Sequence, residues 1–326
     1  MKLLLAGDVM LGRLVNEVLK YQPANYPWSD TLPIFQSADF RVVNLECVIS
    51  DKGRPWSAYP KAFHFRSDAK NIEVLKTARI DAVTLANNHI LDFEYEAMLE
   101  CLEILERENI AYAGAGRDLE EAAKPAICQI KNLKIGVIAF TDNEPEWEAT
   151  RDRPGTFYVP IELQDERAKA LLAKVKEAKR QVDILIVAAH WGPNWGYRPP
   201  KEQIPFAHAL IDSGADVIFG HSGHVFRGIE IYRNRPTIYC AGDFIDDYAI
   251  DEIERNDESF IFLLEFEDKV CKRLQLFPTI ISDFQAQLAP RPRAVRIAQK
   301  MQELCEEFGT QSRWQDDGSL EIRAVV

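Results

Sequence analysis

Cysteine is sparse and scattered in this chain of 326 residues. Its six cysteines, Cys47, Cys101, Cys128, Cys240, Cys271 and Cys305, include no Cys-x-x-C pair. That spacing excludes a thiolate knuckle and argues against a disulfide framework, so they are expected as buried free thiols. Long apolar runs are missing too. The longest, Ile184–Ala189, is strand-sized, far short of the ~18–20 residues of a membrane span. Met1-Lys2 runs directly into Leu3-Leu4-Leu5-Ala6-Gly7, without the longer apolar core and small-residue cleavage site of a signal peptide. A cytoplasmic protein with no membrane span is expected. Basic residues are in deficit, 39 against 51 acidic, for a net charge of −12. That balance argues against a nucleic-acid partner. It does not decide what binds in a cleft, because a bound cation inverts the local field.

Short apolar runs are abundant. Lys2–Ala6, Arg41–Leu45, Ala82–Leu85, Ile135–Phe140, Ile184–Ala189 and Val217–Phe219 read as strands buried on both faces. Helical patterns separate them: Glu94–Glu108 has apolar residues at 97, 98, 101, 102 and 105, and Leu163–Lys179 and Ile204–Ile211 are similar. Alternating strand and helix predicts an α/β protein with a mostly parallel core. Towards the C-terminus, Ile229–Tyr232, Thr237–Cys240, Phe260–Phe266 and Val270–Phe277 follow one another without long helices and predict a second, more antiparallel sheet. Pro290–Pro292 precedes a predicted helix, Arg293–Phe308, and Ser319–Val325 reads as an edge strand. No linker is evident. The expected organisation is one layered domain over residues 1–283, with 284–326 as a C-terminal helix and strand extension.

Polar chemistry concentrates at the ends of five of these strands. The runs end in Asp8, in Glu46, in Asn87-Asn88-His89, in His190 and in His221-x-x-His224. Ligands of open α/β sheets bind beyond the carboxyl ends of the strands. Asp8, Glu46, Asn88, His89, His190, His221 and His224 are therefore expected to converge. Four of only six histidines fall there, and a mixed nitrogen and oxygen donor set suits Mn, Fe or Zn rather than a thiolate-selected metal. The other two, His64 in an alternating run and His208 on a predicted helix, read as structural.

The ordered motifs Gly7-Asp8-Val9-Met10-Leu11-Gly12-Arg13, Asn44-Leu45-Glu46, Ala86-Asn87-Asn88-His89, His190-Trp191-Gly192 and Gly220-His221-x-x-His224 resemble the CapA family. These are the poly-γ-glutamate capsule biosynthesis proteins of the calcineurin-like metallophosphoesterase superfamily. Ala241-Gly242-Asp243-Phe244 resembles a later turn of the family, so the likeness spans about Lys2 to Asp251. It implies a layered β-sandwich flanked by helices, with one or two divalent ions at the strand ends. By that likeness Asp8 and His224 serve one ion, His190 and His221 the other, Asn88 matches the amide ligand of the Asn-His motif, and Glu46 stands where a carboxylate bridges the ions. His89 matches a proton donor to the leaving group. Two departures stand out: Met10 replaces the imidazole of the superfamily's Asp-x-His, and Glu46 replaces a shorter Asp. Ser222-Gly223 is smaller than is usual in the family and widens the expected pocket mouth.

Other candidates are Arg13, expected to face an anionic substrate and assist catalysis, and Arg66. Asp142, Asn143, Asp243, Asp246 and Asp247 are candidates for the rim, and Trp191, Trp195 and Tyr197 for the wall. Two functions follow from the resemblance. One is a metal-dependent hydrolase acting on a phosphoester or a poly-γ-glutamate-type amide. The other is a non-catalytic accessory protein of polymer synthesis or export whose metal-bearing cleft grips an anionic small molecule or polymer.

Overall fold

The structure, a computed structural model, describes residues 1–324. Among the described residues two sheets face each other. The larger has ten strands. Its order runs Ser312–Trp314, Leu320–Arg323, Val270–Ser282, Glu258–Glu267, Lys2–Val9, Phe40–Leu45, Ala82–Thr84 and Ala111–Ala113; Asp243–Ile245 also pairs with Lys2–Val9, and Gln285–Leu288 with Val270–Ser282. The smaller has six, in the order Ile229–Tyr232, Arg235–Ile238, Val217–His221, Ile184–His190, Leu133–Thr141 and Ala126–Ile130.

Period-two alternation explains the layering. Leu3, Leu5, Val42 and Ala82 meet Ile135, Val137, Ile184, Ile186, Val217 and Phe219 in a core between the sheets. Their neighbours in sequence point outward. Leu4, Ala6, Val43 and Val83 pack under the Glu94–Arg107 helix, which buries Ala97, Met98, Cys101, Leu102 and Leu105. Ile138, Phe140, Leu185, Val187 and Ile218 pack under the helices Glu166–Lys179 and Gln203–Ser213. Strands covered on both faces have no polar face, hence the unbroken apolar runs. The Glu166–Lys179 helix starts later than expected because the Asp165 side chain caps it, accepting from the Arg167 N–H.

One expectation is corrected here. The late strands do not form a sheet of their own. Ile229–Tyr232 and Arg235–Ile238 extend the smaller sheet, while Glu258–Glu267 lies antiparallel beside the first strand and Val270–Ser282 antiparallel beside Glu258–Glu267. The six early apolar runs are likewise divided, three to each sheet. From Phe284 onward, Gln285–Leu288 and Leu320–Arg323 pair with Val270–Ser282. The Arg291–Glu306 helix places Ile297, Ala298, Met301, Leu304 and Cys305 in the inter-sheet core. Val325, the last residue of the expected edge strand, lies outside the described residues. All six cysteines are free, five of them buried and Cys128 half-buried. No helix among the described residues is long and apolar enough to cross a membrane.

Candidate metal centre

The carboxyl ends of parallel strands from both sheets meet at one place. In the larger sheet Asp8 lies opposite Asn44 on one side and Asp243 on the other, with a register shift at Asp8 and Val9. In the smaller sheet His190 lies opposite His221. Across the sandwich, Asp8, His190 and His221 can each offer a donor atom within 4.8 Å of the others, and so can Asp8, Glu46 and His224. Asp8 belongs to both groups. The resemblance gave the bridging place to Glu46; in this geometry the shared carboxylate is Asp8. Asn88 joins the first group, with Oδ1 2.9 Å from His190 Nε2.

Each donor is fixed by local structure. Gly7 lets the first strand run against the Ala241-Gly242-Asp243 turn: a Cβ there would stand 1.8 Å from the Gly242 carbonyl oxygen. The Asn44 amide donates to Asp8 Oδ1 at 2.7 Å and to Glu46 Oε2 at 2.9 Å. Asn44 is held in turn by Thr84 and Asn87, which donate to its Oδ1. Asn87 also accepts the His89 N–H, so one amide ties the loop carrying Asn88 and His89 to the neighbouring strand. Ser222 and His224 have φ of +96° and +57°. Left-handed backbone is costly for side chains other than glycine and persists where the surroundings enforce it. His224 Nδ1 lies 3.0 Å from Asp243 Oδ1, which sets the ring's orientation.

Electrostatics distinguish the site from ordinary core. Burial, followed by the nearby carboxylate of Asp8, holds Glu46 well above the usual carboxyl range, and burial likewise raises Asp8. Burial pushes His221 down to about 3 and, with His221 as its next cause, lowers His190 strongly. Both imidazoles are therefore neutral near pH 7, the form in which histidine binds metals. Their Nδ1 atoms stand 2.8 Å apart. Asp8 Oδ2, Asp243 Oδ2 and Asp246 Oδ2 are buried with no hydrogen-bond partner. Neutral imidazoles aimed at one another and orphaned carboxylate oxygens fit a divalent cation, which would satisfy lone pairs that nothing else in the fold meets.

His89 is built differently. Its Nδ1 lies 2.6 Å from Asp92 Oδ2, while Nε2 faces the centre, 3.9 Å from Glu46 Oε1. Asp92 also accepts the Phe65 N–H and pairs at 3.4 Å with Lys61, whose ammonium donates to the Asn88 carbonyl. The Phe65 ring stacks on His89, with centroids 3.9 Å apart. A cavity of about 510 Å³ opens over this group, lined by Arg13, Phe63, Phe65, His89, Trp195 and His224 among others.

The secondary candidates separate. Arg13 and Trp195 line the cavity. Arg66 turns away, over the Phe93 ring and onto the carbonyls of Lys52 and Gly53. Asp142 and Asn143 support the turn after His190: Asp142 accepts the Gly192 N–H, and Asn143 donates to the His190 carbonyl. Burial lifts Asp142 to about 6. Trp191 is core, its indole bonded to the Tyr239 carbonyl. Tyr197 packs on Phe226 and donates to the Glu254 carbonyl. Asp247 pairs with Arg13. His64 and His208 are structural, the latter against Glu230 and stacked on Tyr232. Sequence reading missed Asn44 as an organiser, and Asp92, Lys61, Phe65 and Tyr248 altogether. Only Asp92 left a signal, three residues after His89.

A family model described as bacterial capsule synthesis protein PGA_cap matches residues 2–248. The chain belongs to this family. A probable polyglutamine synthesis accessory protein of Mycobacterium tuberculosis is 32% identical, over 98% of this chain and 95% of its own length. The PGA biosynthesis protein CapA of Bacillus subtilis is 29% identical over 74% of this chain and 62% of its own. Among solved structures, a phosphatase from Mycoplasma pneumoniae superposes with a TM-score of 0.53 at 16% identity, covering 89% of this chain and 95% of that one. A hypothetical protein from Thermus thermophilus gives 0.51 at 14% identity, covering 85% and 98%. The PGA_cap chain thus has the metallophosphoesterase-like fold.

Within this PGA_cap protein, Met10 packs as a core residue. Its side chain lies in the apolar core outside the larger sheet, and its sulphur accepts the Gly12 N–H at 3.0 Å. Restoring the superfamily's residue with Met10→His is therefore expected to add no metal. It should lower stability by ~1–3 kcal/mol, the cost of burying an unpaired polar group. Elemental analysis and thermal melting check this; an extra equivalent of metal in the variant overturns it.

Proposed function

We propose that this PGA_cap protein is a metal-dependent hydrolase of the metallophosphoesterase type, acting on an anionic substrate through a phosphoester or a poly-γ-glutamate-type amide. One observation carries the reading. Asp8, Glu46, His190, His221 and His224, with Asn88 beside His190, form two donor groups that share Asp8, and His89 lines the cavity above them. Those six residues would hold one or two divalent ions, of Mn, Fe or Zn. Bound there, such an ion polarises a phosphoryl or carbonyl oxygen and makes water a stronger nucleophile near neutral pH.

The remaining steps belong to side chains. Asp92 accepts from His89 Nδ1 and stabilises the imidazolium, whose Nε2 proton would pass to the leaving oxygen or nitrogen and be regained from the attacking water. Phe65 stacks on the ring and holds its plane. Asn44 keeps Asp8 and Glu46 apart and correctly turned. Asp243 fixes the His224 ring. Burial excludes bulk water, which strengthens every charge interaction at the centre.

The printed name of the Mycobacterium tuberculosis relative favours a second reading, an accessory protein that grips an anionic polymer without cutting it. Turnover of an aryl phosphodiester separates the two, measured with added Mn²⁺, Zn²⁺ or Fe²⁺ on protein of known metal content. Hydrolysis that rises with bound metal is expected. Full metal occupancy without turnover on the ester or on γ-linked glutamate oligomers leaves the accessory reading standing.

A further inference from the structure

Arg13 is held in an unusual way for a cation at a cleft mouth. Its backbone sits at φ +49°, the left-handed region that costs an L-residue energy unless the surroundings enforce it. Asp247, whose side chain is fully buried, lies 3.2 Å from its Nε and also accepts the Leu14 N–H at 2.9 Å. The guanidinium centre is 5.4 Å from the Phe63 ring centroid and 5.5 Å from that of Phe65. A carboxylate and two aromatic rings thus fix a side chain that normally has much rotamer freedom. Its terminal Nη1 and Nη2 groups make no hydrogen bond with any of the described residues, and a third of the side chain is exposed, in the cavity wall.

This charge is not spent on the carboxylates of the centre. Arg13 forms its ion pair with Asp247 and with none of Asp8, Glu46 or Asp243. Phe65 lies against both the guanidinium and His89, so one aromatic ring links the cation to the imidazole. The lysine of the wall, Lys61, is spent on Asp92, Glu144 and the Asn88 carbonyl. Arg13 is the cation in the wall whose donors face a ligand.

We infer that Arg13 is a specificity residue that takes a second anionic group of the substrate, a carboxylate or a phosphate, at a distance from the bond that reacts. A planar guanidinium with both Nη groups free matches two oxygens of such a group in a fork. The substrate class this selects carries anionic groups at intervals, with one at the metal centre and a neighbour on Arg13. The inference rests on the cleft being the substrate site proposed above. Asp247 is the positioning residue that aims the guanidinium.

The test uses the full chain with its metal content measured, comparing wild type with Arg13→Gln and Arg13→Lys. The probes are inorganic phosphate, glutarate and the uncharged glutaramide, titrated calorimetrically. Expected is saturable binding of phosphate, glutarate or both to wild type, weakened ~10- to 100-fold in Arg13→Gln as a charge-assisted bidentate contact is lost. Arg13→Lys should recover only part, because an ammonium is a point charge without the fork. The preferred probe tells carboxylate from phosphate, and glutaramide should not bind. Equal affinities in wild type and Arg13→Gln, or no saturable binding of either anion to wild type, overturn the inference. Because the variants are compared at equal metal content, a failure here is distinct from a failure of the metal assignment, which would show as absent metal in all three proteins.

Discussion

His190→Ala and His221→Ala should each strip the proposed centre of metal, with affinity falling by more than ~10²-fold. The lower bound follows from residues behind the ligands, whose loss alone typically costs ~10–100-fold. Both rings are buried at the ends of adjacent strands, with Nδ1 atoms 2.8 Å apart and basicity suppressed by burial. Replacing either with alanine leaves the partner ring and Asp8 facing a void. The fold itself should survive, because these side chains lie at the ends of their strands rather than within the apolar runs. His64→Ala is the control, since that ring lies against the Trp56 carbonyl and the Phe93 edge and is in neither donor group. Elemental analysis of folded variants decides the matter. Unchanged metal in both histidine variants sinks the assignment.

His89→Ala should do the opposite: keep the metal and lose the rate. Acid catalysis by a placed side chain is worth ~10²–10⁴-fold, and the loss should be of that order. It should shrink for aryl esters with acidic leaving groups, which depart without a proton. The geometry supports a donor rather than a ligand. Nδ1 is engaged by Asp92, Nε2 stands 3.9 Å from Glu46, and His89 is in neither donor group. Asp92→Asn should lower the rate less than His89→Ala, since an amide still accepts from Nδ1 without stabilising the imidazolium. Metal content and turnover with good and poor leaving groups are the measurements. If His89→Ala strips the metal, the ring is a ligand and the role assigned to it is wrong.

Much of the centre was legible because of how parallel strands are buried. A strand covered on both faces must be apolar along its length, so a carboxylate or imidazole at its carboxyl end stands out. Asp8, Glu46, Asn88, His190, His221 and His224 were found this way, and the structure brings them together. Met10 shows the limit of reading by alignment with a motif. Position 10 follows a register shift at Asp8 and Val9, and that shift helps decide which face a side chain meets. Local periodicity does not report it. Arg66 and Trp191 lie next to motif residues in sequence yet point elsewhere, one onto Phe93 and the other into the core.

The chain's sequence by itself determined the strand runs, the helix faces and the identity of the donors, since each is written within a few neighbouring residues. Tertiary structure alone decided three things. It divided the parallel strands between two sheets, with Glu258–Glu267 antiparallel beside Lys2–Val9 across about 250 residues of chain. It made Asp8 the carboxylate common to both donor groups. It brought Lys61 and Tyr248 to the cleft from positions outside every motif. The physical reason is the same in each case. Periodicity records whether a residue is buried, but which residue it meets depends on strand pairing and turns that join distant parts of the chain.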